Sequence, residues 1–324
     1  MIVPEKEIRF SDLVGWNKDN HGAAFDVFLN TKPQQKNGLL LEILNEAKNY
    51  KNPKIFFEDN FTPVLLGGQK EVLFTGYYEP VYKGSFFRDE EFKYPIYETP
   101  KDLPLTEHWF TRKQIDKEGV LEGRKLELVF LKSKAEVFFL HIQGSGRIIL
   151  KDGSTLRVGY SASNGHVYTS IGKELVKRNV FSKNTISQKK IMDWIMKDTE
   201  AGNELMYKNL SYVFFKKLNL LTLSDGPIGT LELPITPLRS IAVDPETILL
   251  GSPVWIEKKG KKHMNRLMIA MDTGSAIKGI GRVDIYYGTG DIAGTQAGEV
   301  RDSGRMVVLK PKSKATRGLK KKNE

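Results

Sequence analysis

The chain has 324 residues, 40% of them hydrophobic, which suffices for a sizeable core and favours two medium domains over one. It contains no cysteine, which excludes disulfides, thiolate metal sites, a cysteine nucleophile and a cysteine-borne lipid anchor. A formal net charge of +11 points to an anionic partner: a polyanionic polymer, an acidic membrane surface or nucleic acid.

The opening Met1-Ile2-Val3-Pro4-Glu5-Lys6 has neither a basic stretch nor an apolar run after it, and no segment approaches the roughly eighteen apolar residues of a membrane helix. No transmembrane span is therefore expected, and either export is not encoded here or the leader has been removed or left out. From Phe10 to Lys51 the pattern is helical, with Leu39, Leu40, Leu41, Ile43, Leu44 and Ala47 forming an apolar face. Val72 to Tyr82 reads as a strand with an aromatic end, which Pro80 terminates or confines to an edge.

Between Pro95 and Leu221, the runs Leu126–Leu131, Val137–Gln143, Arg147–Leu150 and Thr155–Tyr160 predict hairpins in a small barrel or sheet. A helix is expected over Asn184–Ala201, with Ile191, Trp194 and Ile195 on one face. From Gly226 the chain is β-rich again, and the lack of regular βαβ alternation argues against a doubly wound sheet.

The segment from Lys310 holds seven basic residues against Glu324 alone, and is expected to be a disordered basic tail. The body has no zinc-finger, RNP-type or basic-heptad pattern, so nucleic acid is not an expected partner. The five histidines, His21, His108, His141, His166 and His263, show no i, i+4 pairing, and no metal or other cofactor is expected.

The most informative stretch runs from Met268 through Asp272-Thr273-Gly274 to Gly279 and on to Arg282-Val283-Asp284-Ile285-Tyr286-Tyr287-Gly288-Thr289-Gly290-Asp291. A strand ends in Asp-Thr-Gly, and the next places Asp284 between Val283 and Ile285. Alternation sets those two apolar side chains on the face opposite the acid. Asp-Thr-Gly after an apolar strand also fits an aspartic protease loop, in which two carboxylates share one proton. Asp302-Ser303-Gly304 is the only second candidate; it lacks a preceding apolar strand, and the interval is too short for a second lobe. A binding module without catalysis is the remaining alternative.

Several further motifs occur in order: Phe74-Thr75-Gly76-Tyr77-Tyr78-Glu79-Pro80, Ile142-Gln143-Gly144-Ser145-Gly146, Val158 to Gly165, Asn209 to Phe215, Pro234 to Val243, and Asp272 to Gly298. With these the chain resembles the membrane-bound lytic murein transglycosylase A family with its C-terminal three-aspartate module. The resemblance implies a mainly β fold with a few helices. In it, a discontinuous double-psi β-barrel (residues 1–79 and 226–309) carries an inserted smaller β-barrel-like domain (80–225), and glycan lies in the groove where the two meet.

It also implies a lytic exotransglycosylase, a carbon–oxygen lyase that cleaves the β-1,4 bond between N-acetylmuramic acid and N-acetylglucosamine and leaves 1,6-anhydromuramic acid ends. The partners implied are periplasmic peptidoglycan strands and other cell-wall enzymes, with a monomer favoured. The single catalytic acid falls on Asp284. Family members are commonly lipoproteins, whereas this chain shows no lipobox.

Protonating a glycosidic oxygen requires an acid that keeps its proton near neutral pH, well above the ordinary aspartate value of about 3.9. Burial by Val283 and Ile285, and the negative charge of Asp272 or Asp291, are the expected means. Because the sugar's own 6-hydroxyl attacks, one carboxyl can act as acid and then as base. Asp272 is a structural brace or an electrostatic neighbour, and Asp291 an electrostatic neighbour or a turn residue. Tyr77, Tyr78 and Tyr160 are candidates for stacking on sugars. Gln143 and Ser145, read as a glycine-bounded turn, and Ser161 are candidates for polar contacts, and Lys278 for a lactyl or peptide carboxylate.

Overall fold

The computed structural model describes residues 4–67, 71–182, 185–219, 221–260 and 262–318. In chain order, β1 (Glu5–Glu7) precedes three short helices, α1 (His21–Asn30), α2 (Gly38–Glu46) and α3 (Pro53–Asn60), then β2 (Phe61–Leu66) and β3 (Val72–Glu79). Next come β4 (Val81–Ser85), β5 (Tyr94–Tyr97), α4 (Arg112–Asp116), β6 (Glu127–Leu131), α5 (Lys134–Gln143), β7 (Ser145–Leu150) and β8 (Thr155–Ser163). Helices α6 (Ile171–Lys177), α7 (Gln188–Lys197) and α8 (Thr199–Met206) lead to β9 (Val213–Lys217). The rest is β10 (Ser240–Ala242), β11 (Pro253–Lys258), β12 (Met264–Asp272), β13 (Arg282–Thr289), α9 (Gly290–Gly298), β14 (Arg301–Pro311) and α10 (Lys314–Gly318). Among the described residues no helix is long and apolar enough to cross a membrane.

Two compact units result: residues 1–77, 224–288 and 300–324 form the first, and 78–223 with 289–299 the second. In the first, the strand order is β1-β2-β14-β11-β12-β10-β13-β3, and β14 also pairs with β3. Six strands therefore close into a ring. Their residues alternate between two cores. Val254, Ile256, Met268, Ala270, Val283, Ile285, Met306 and Val308 gather in a cluster free of residues from the N-terminal helices, the barrel interior. Trp255, Leu267, Ile269, Met271, Tyr286, Val307 and Leu309 pack outward with Ala24, Phe28, Leu40, Ile43, Phe56 and Phe57 of α1–α3. Burial on both faces explains why these strands read as continuous apolar runs.

The helical stretch expected over 10–51 is divided into short pieces by asparagine caps. Asn20, Asn37 and Asn52 accept from the backbone N–H groups of Ala23, Leu40 and Lys54 and start α1, α2 and α3. The N-terminal segment is fastened to the barrel by Asp19, whose carboxylate takes two bonds from the Arg239 guanidinium (2.8 and 2.9 Å) and one from the Leu267 amide (2.9 Å). Both side chains are buried, at 4% and 8% exposed.

The basic segment from Lys310 differs from expectation. β14 continues through Pro311, and Arg317 bonds Glu42 and Glu46 on α2, so the chain is ordered as far as α10. Residues 319–324 of the expected tail lie outside the described residues.

In the second unit a six-stranded sheet runs β5-β6-β4-β7-β8-β9, with β4 and β7 parallel. A bridge between Glu98 and Phe215, beside the two edge strands, curls it toward closure. At one end Glu79, 0% exposed, accepts from Arg147 (2.8 Å), Arg157 (3.0 Å) and Thr289 (2.8 Å). The two arginines also bond the carbonyls of Leu223 and Thr222. One carboxylate thus gathers three of the points where the chain enters or leaves the unit. Segment 289–299, expected in the barrel, joins this unit because Gly294 of α9 lies against the Tyr78 ring, where an added Cβ would be 2.7 Å away.

Val137–Gln143, expected as a strand, is the body of α5. Ser133 and Glu136 form a reciprocal capping box, and Gly144, at φ +74°, ends the helix. Residues 137–141 are all buried, which erases the one-sided periodicity that marks a surface helix. The helix expected over 184–201 is two, α7 and α8, broken at Asp198, which caps the second; Asn184 lies outside the described residues.

Leaving one partner of a buried, hydrogen-bonded ion pair unpaired typically costs about 3–5 kcal/mol. Asp19→Ala should therefore lower unfolding stability by that order in urea titrations, and a loss under about 1 kcal/mol would show that the pair does not fasten the N-terminal segment.

Candidate active site

The short strand β10 runs between β12 and β13, parallel to the first and antiparallel to the second, and Ala242 is opposite both Asp272 and Asp284. Strand spacing then sets the two aspartate backbones roughly 10 Å apart. On β13, Val283 and Ile285 point into the barrel, so Asp284 points out, on the face that Tyr286 shares with the outer core. On β3 the same alternation sends Val72 and Phe74 inward and Thr75 and Tyr77 outward.

The two outward side chains of β3 reach the two acids. The Thr75 hydroxyl donates to Asp284 Oδ1 at 2.7 Å, and the Tyr77 hydroxyl donates to Asp272 Oδ2 at 3.0 Å. Asp284 Oδ2 has no protein partner among the described residues. Burial pushes the Asp284 carboxyl up to about 6; the Thr75 bond and the charge of Arg282 oppose the rise, and Asp272 adds to it.

Asp272 is held differently. Its Oδ1 accepts from the Thr230 amide (3.0 Å), the Thr230 hydroxyl (2.9 Å) and the Thr273 amide (2.9 Å), so with Tyr77 four donors engage this carboxyl. Burial raises its pKa above the ordinary aspartate value, and those bonds oppose the rise. A carboxylate so engaged braces the end of β12. A shared-proton dyad would need oxygens free to face each other, and Asp272 has none.

Lys278 lies exposed on the 273–281 loop, which is pinned where the Gly279 amide donates to Asp244 Oδ2 at 2.6 Å. Tyr77 is half-buried, its ring 5.4 Å from that of Tyr286, so its contribution here is the hydroxyl on Asp272. Thr75, Thr230 and Asp244 were not singled out from sequence. Thr75 stands within a quoted motif, but nothing local marks a threonine as the partner of an acid 209 residues away.

The other candidates belong to the second unit. Asp291, considered as a turn residue, is exposed in the first turn of α9. Tyr78 is 9% exposed, and its hydroxyl accepts from Gln188 at 2.8 Å. Gln143 and Ser145 do not form a hairpin turn: Gln143 ends α5, with its Oε1 accepting from the Tyr78 amide, and Ser145 begins β7, buried. Tyr160 on β8 is 51% exposed, and the adjacent Ser161 hydroxyl accepts from Thr99. Among the described residues no group of three or more His, Asp or Glu side chains is arranged to hold a metal ion.

Residues 73–216 match the MltA specific insert domain, and residues 239–310 match the 3D domain. The membrane-bound lytic murein transglycosylase A of Vibrio cholerae is 35% identical over 258 residues, covering 76% of this chain and 67% of that protein. Its Escherichia coli K12 counterpart is 38% identical over 250 residues, 74% of this chain and 66% of that protein. The matches thus span about two thirds of these relatives' length. Among solved structures, a membrane-bound lytic murein transglycosylase from Agrobacterium tumefaciens superposes with a TM-score of 0.86 at 30% identity, covering 95% of this chain and 97% of that one. E. coli MltA with bound chitohexaose gives 0.75 at 30% identity, covering 91% and 90%.

The raised Asp284 pKa carries a stability consequence of definite sign. The folded state holds this proton up to about pH 6, whereas the unfolded chain releases it near the ordinary value of about 3.9. Stability therefore falls as pH rises between the two, and the cost is fully present at neutral pH. Asp284→Asn should stabilise the protein at pH 7.5, by on the order of 1–2 kcal/mol after allowance for partial exposure, and the gain should vanish at pH 4. Equal melting temperatures of the two proteins at both pH values would contradict the buried-acid geometry.

Proposed function

Since the chain belongs to the membrane-bound lytic murein transglycosylase A family, we infer that it is a lytic murein transglycosylase acting on the glycan strands of periplasmic peptidoglycan. The observation that carries the assignment of the chemistry to Asp284 is its half-buried carboxyl, raised to about 6, with one oxygen held by Thr75 and the other without a protein partner among the described residues. Such a group retains a proton that an ordinary aspartic acid would have lost.

Asp284 gives that proton to the glycosidic oxygen as the bond from N-acetylmuramic acid C1 to N-acetylglucosamine O4 breaks and positive charge grows on the muramyl ring. The carboxylate left behind then accepts the proton of the muramyl 6-hydroxyl as that oxygen bonds to C1. The acid is restored and a 1,6-anhydro ring closes, with no water consumed. Attack from within the same sugar makes a second catalytic carboxylate unnecessary. Asp272, engaged by four donors, stays a brace whose charge adds to the retention of the Asp284 proton.

In this reading Tyr160, Ser161, Gln143 and Asp291 of the second unit serve the sugar chain or its surroundings, and Tyr78 and Ser145 support them from buried positions. The closed ring is read as a double-psi barrel, a reading supported by the parallel pairing of β10 with β12 between antiparallel neighbours.

Mass spectrometry of fragments released from purified sacculi should show 1,6-anhydromuramyl ends, each one water lighter than a hydrolytic product, and chelator should leave the yield unchanged. Reducing muramyl ends would assign a hydrolase instead. Asp284→Asn should lower kcat by at least about 10²- to 10⁴-fold, the range of general acid–base catalysis, while co-sedimentation with sacculi persists. In the wild type kcat/KM should decline above about pH 6. Asp272→Asn should move that decline to lower pH, because it removes a like charge.

A further inference from the structure

Arg282 stands two residues before Asp284 on β13, so the two side chains leave the same strand face with backbones roughly 7 Å apart. Arg282 is half-buried, and its Nε is shut off from solvent without a hydrogen-bond partner. Among the described residues its guanidinium makes no ion pair and no hydrogen bond. Of the other half-buried or buried arginines of this unit, Arg239 is matched by Asp19, Arg305 by Glu257 and Arg317 by Glu42 and Glu46, while Arg266, like Arg282, has no ion pair among the described residues but keeps no orphaned buried nitrogen. A buried donor left unmade costs about 1–3 kcal/mol, so its persistence beside the acid calls for an occupant. A guanidinium presents a planar fork of donors that fits a carboxylate in two parallel bonds.

We propose that Arg282 binds a carboxylate of the muramyl side chain, either the lactyl group itself or the peptide attached to it, and thereby selects anionic glycan strands. The identity of the sugar rests on the transglycosylase reading. Lys278, the sequence-based candidate for this carboxylate, is an exposed and solvated ammonium, whereas Arg282 is set on the strand that carries the acid. Seating the anion also serves the reaction. The groups that act on the Asp284 proton are Arg282 on its own strand, Thr75 on β3 and Asp272 on β12, and of the charged ones only Arg282 draws it off. A carboxylate on Arg282 cancels that pull, so the acid holds its proton best when an anionic strand is bound.

The test uses Asp284→Asn as a non-cleaving background and measures the Kd of fluorescently labelled soluble strands. Four probes are compared: peptide-bearing strands, strands freed of peptide so that the lactyl carboxylate is exposed, and each of these after carbodiimide amidation of its carboxyls. Amidation should weaken binding at least tenfold. Adding Arg282→Gln should weaken the anionic strands by the same factor and abolish the effect of amidation, while Arg282→Lys should restore part of it. The probe whose affinity falls on amidation identifies the lactyl or the peptide source. Circular dichroism and melting of Arg282→Gln confirm that the fold is retained.

An amidation effect that persists in Arg282→Gln, or none in the Asp284→Asn background, overturns the inference and leaves the transglycosylase reading standing. If the background variant binds no strand of any kind, the substrate reading falls and the inference with it.

Discussion

The site depends on one short piece of backbone, Ser240–Ala242. By pairing in parallel with the strand that ends at Asp272 and antiparallel with the strand that carries Asp284, it makes Ala242 the neighbour of both acids. The separation of the carboxyls is then a property of sheet spacing, and no loop needs to hold it. Closure of the ring through β3 and β14 adds the second constraint, since it places Thr75 and Tyr77 on the outward face from which they reach the two acids. Residues on rigid strands keep such geometry more exactly than residues on loops.

Two aspartates twelve positions apart in sequence take opposite characters from this arrangement. Asp272 is half-buried with both oxygens bonded, so it serves as fixed structure. Asp284 is half-buried and bonded through one oxygen, and burial keeps the acid protonated up to about pH 6. The same reasoning gives Glu79 of the second unit a structural role: it is fully buried and answered by two guanidinium groups and a hydroxyl. The number of donors that meet a buried carboxyl thus separates brace from acid.

Much of the first unit was legible in the sequence because strand alternation is local. Val283 and Ile285 flank Asp284, and that alone sets the acid on the face opposite the barrel core. What was not legible is long-range or hidden by complete burial. The Asp19–Arg239 pair spans 220 positions and the Tyr77–Asp272 bond 195, and no window of sequence relates such residues. Helix α5 was hidden because burial on every face removed its periodicity, and only the Ser133/Glu136 capping box announced it. That the basic segment is held through residue 318 was not legible, because lysine and arginine content says nothing of Glu42 and Glu46, which hold Arg317 from a helix formed far earlier in the chain. Asp291 was weighed as a turn residue because its glycine neighbours signal a turn, yet the helix begins at Gly290.

The central claim is that the barrel keeps one aspartic acid protonated up to about pH 6 by burial while leaving one of its oxygens without a protein partner among the described residues. It is tested most directly by titrating that carboxyl in the folded protein, using carbon-13 NMR of aspartate-labelled chain with Asp284→Asn to assign the resonance. The structure predicts a midpoint of about 6 for Asp284. A midpoint at or below the ordinary value of about 3.9 would mean that the group is ionised at the pH where it must give up a proton, and the account would be wrong.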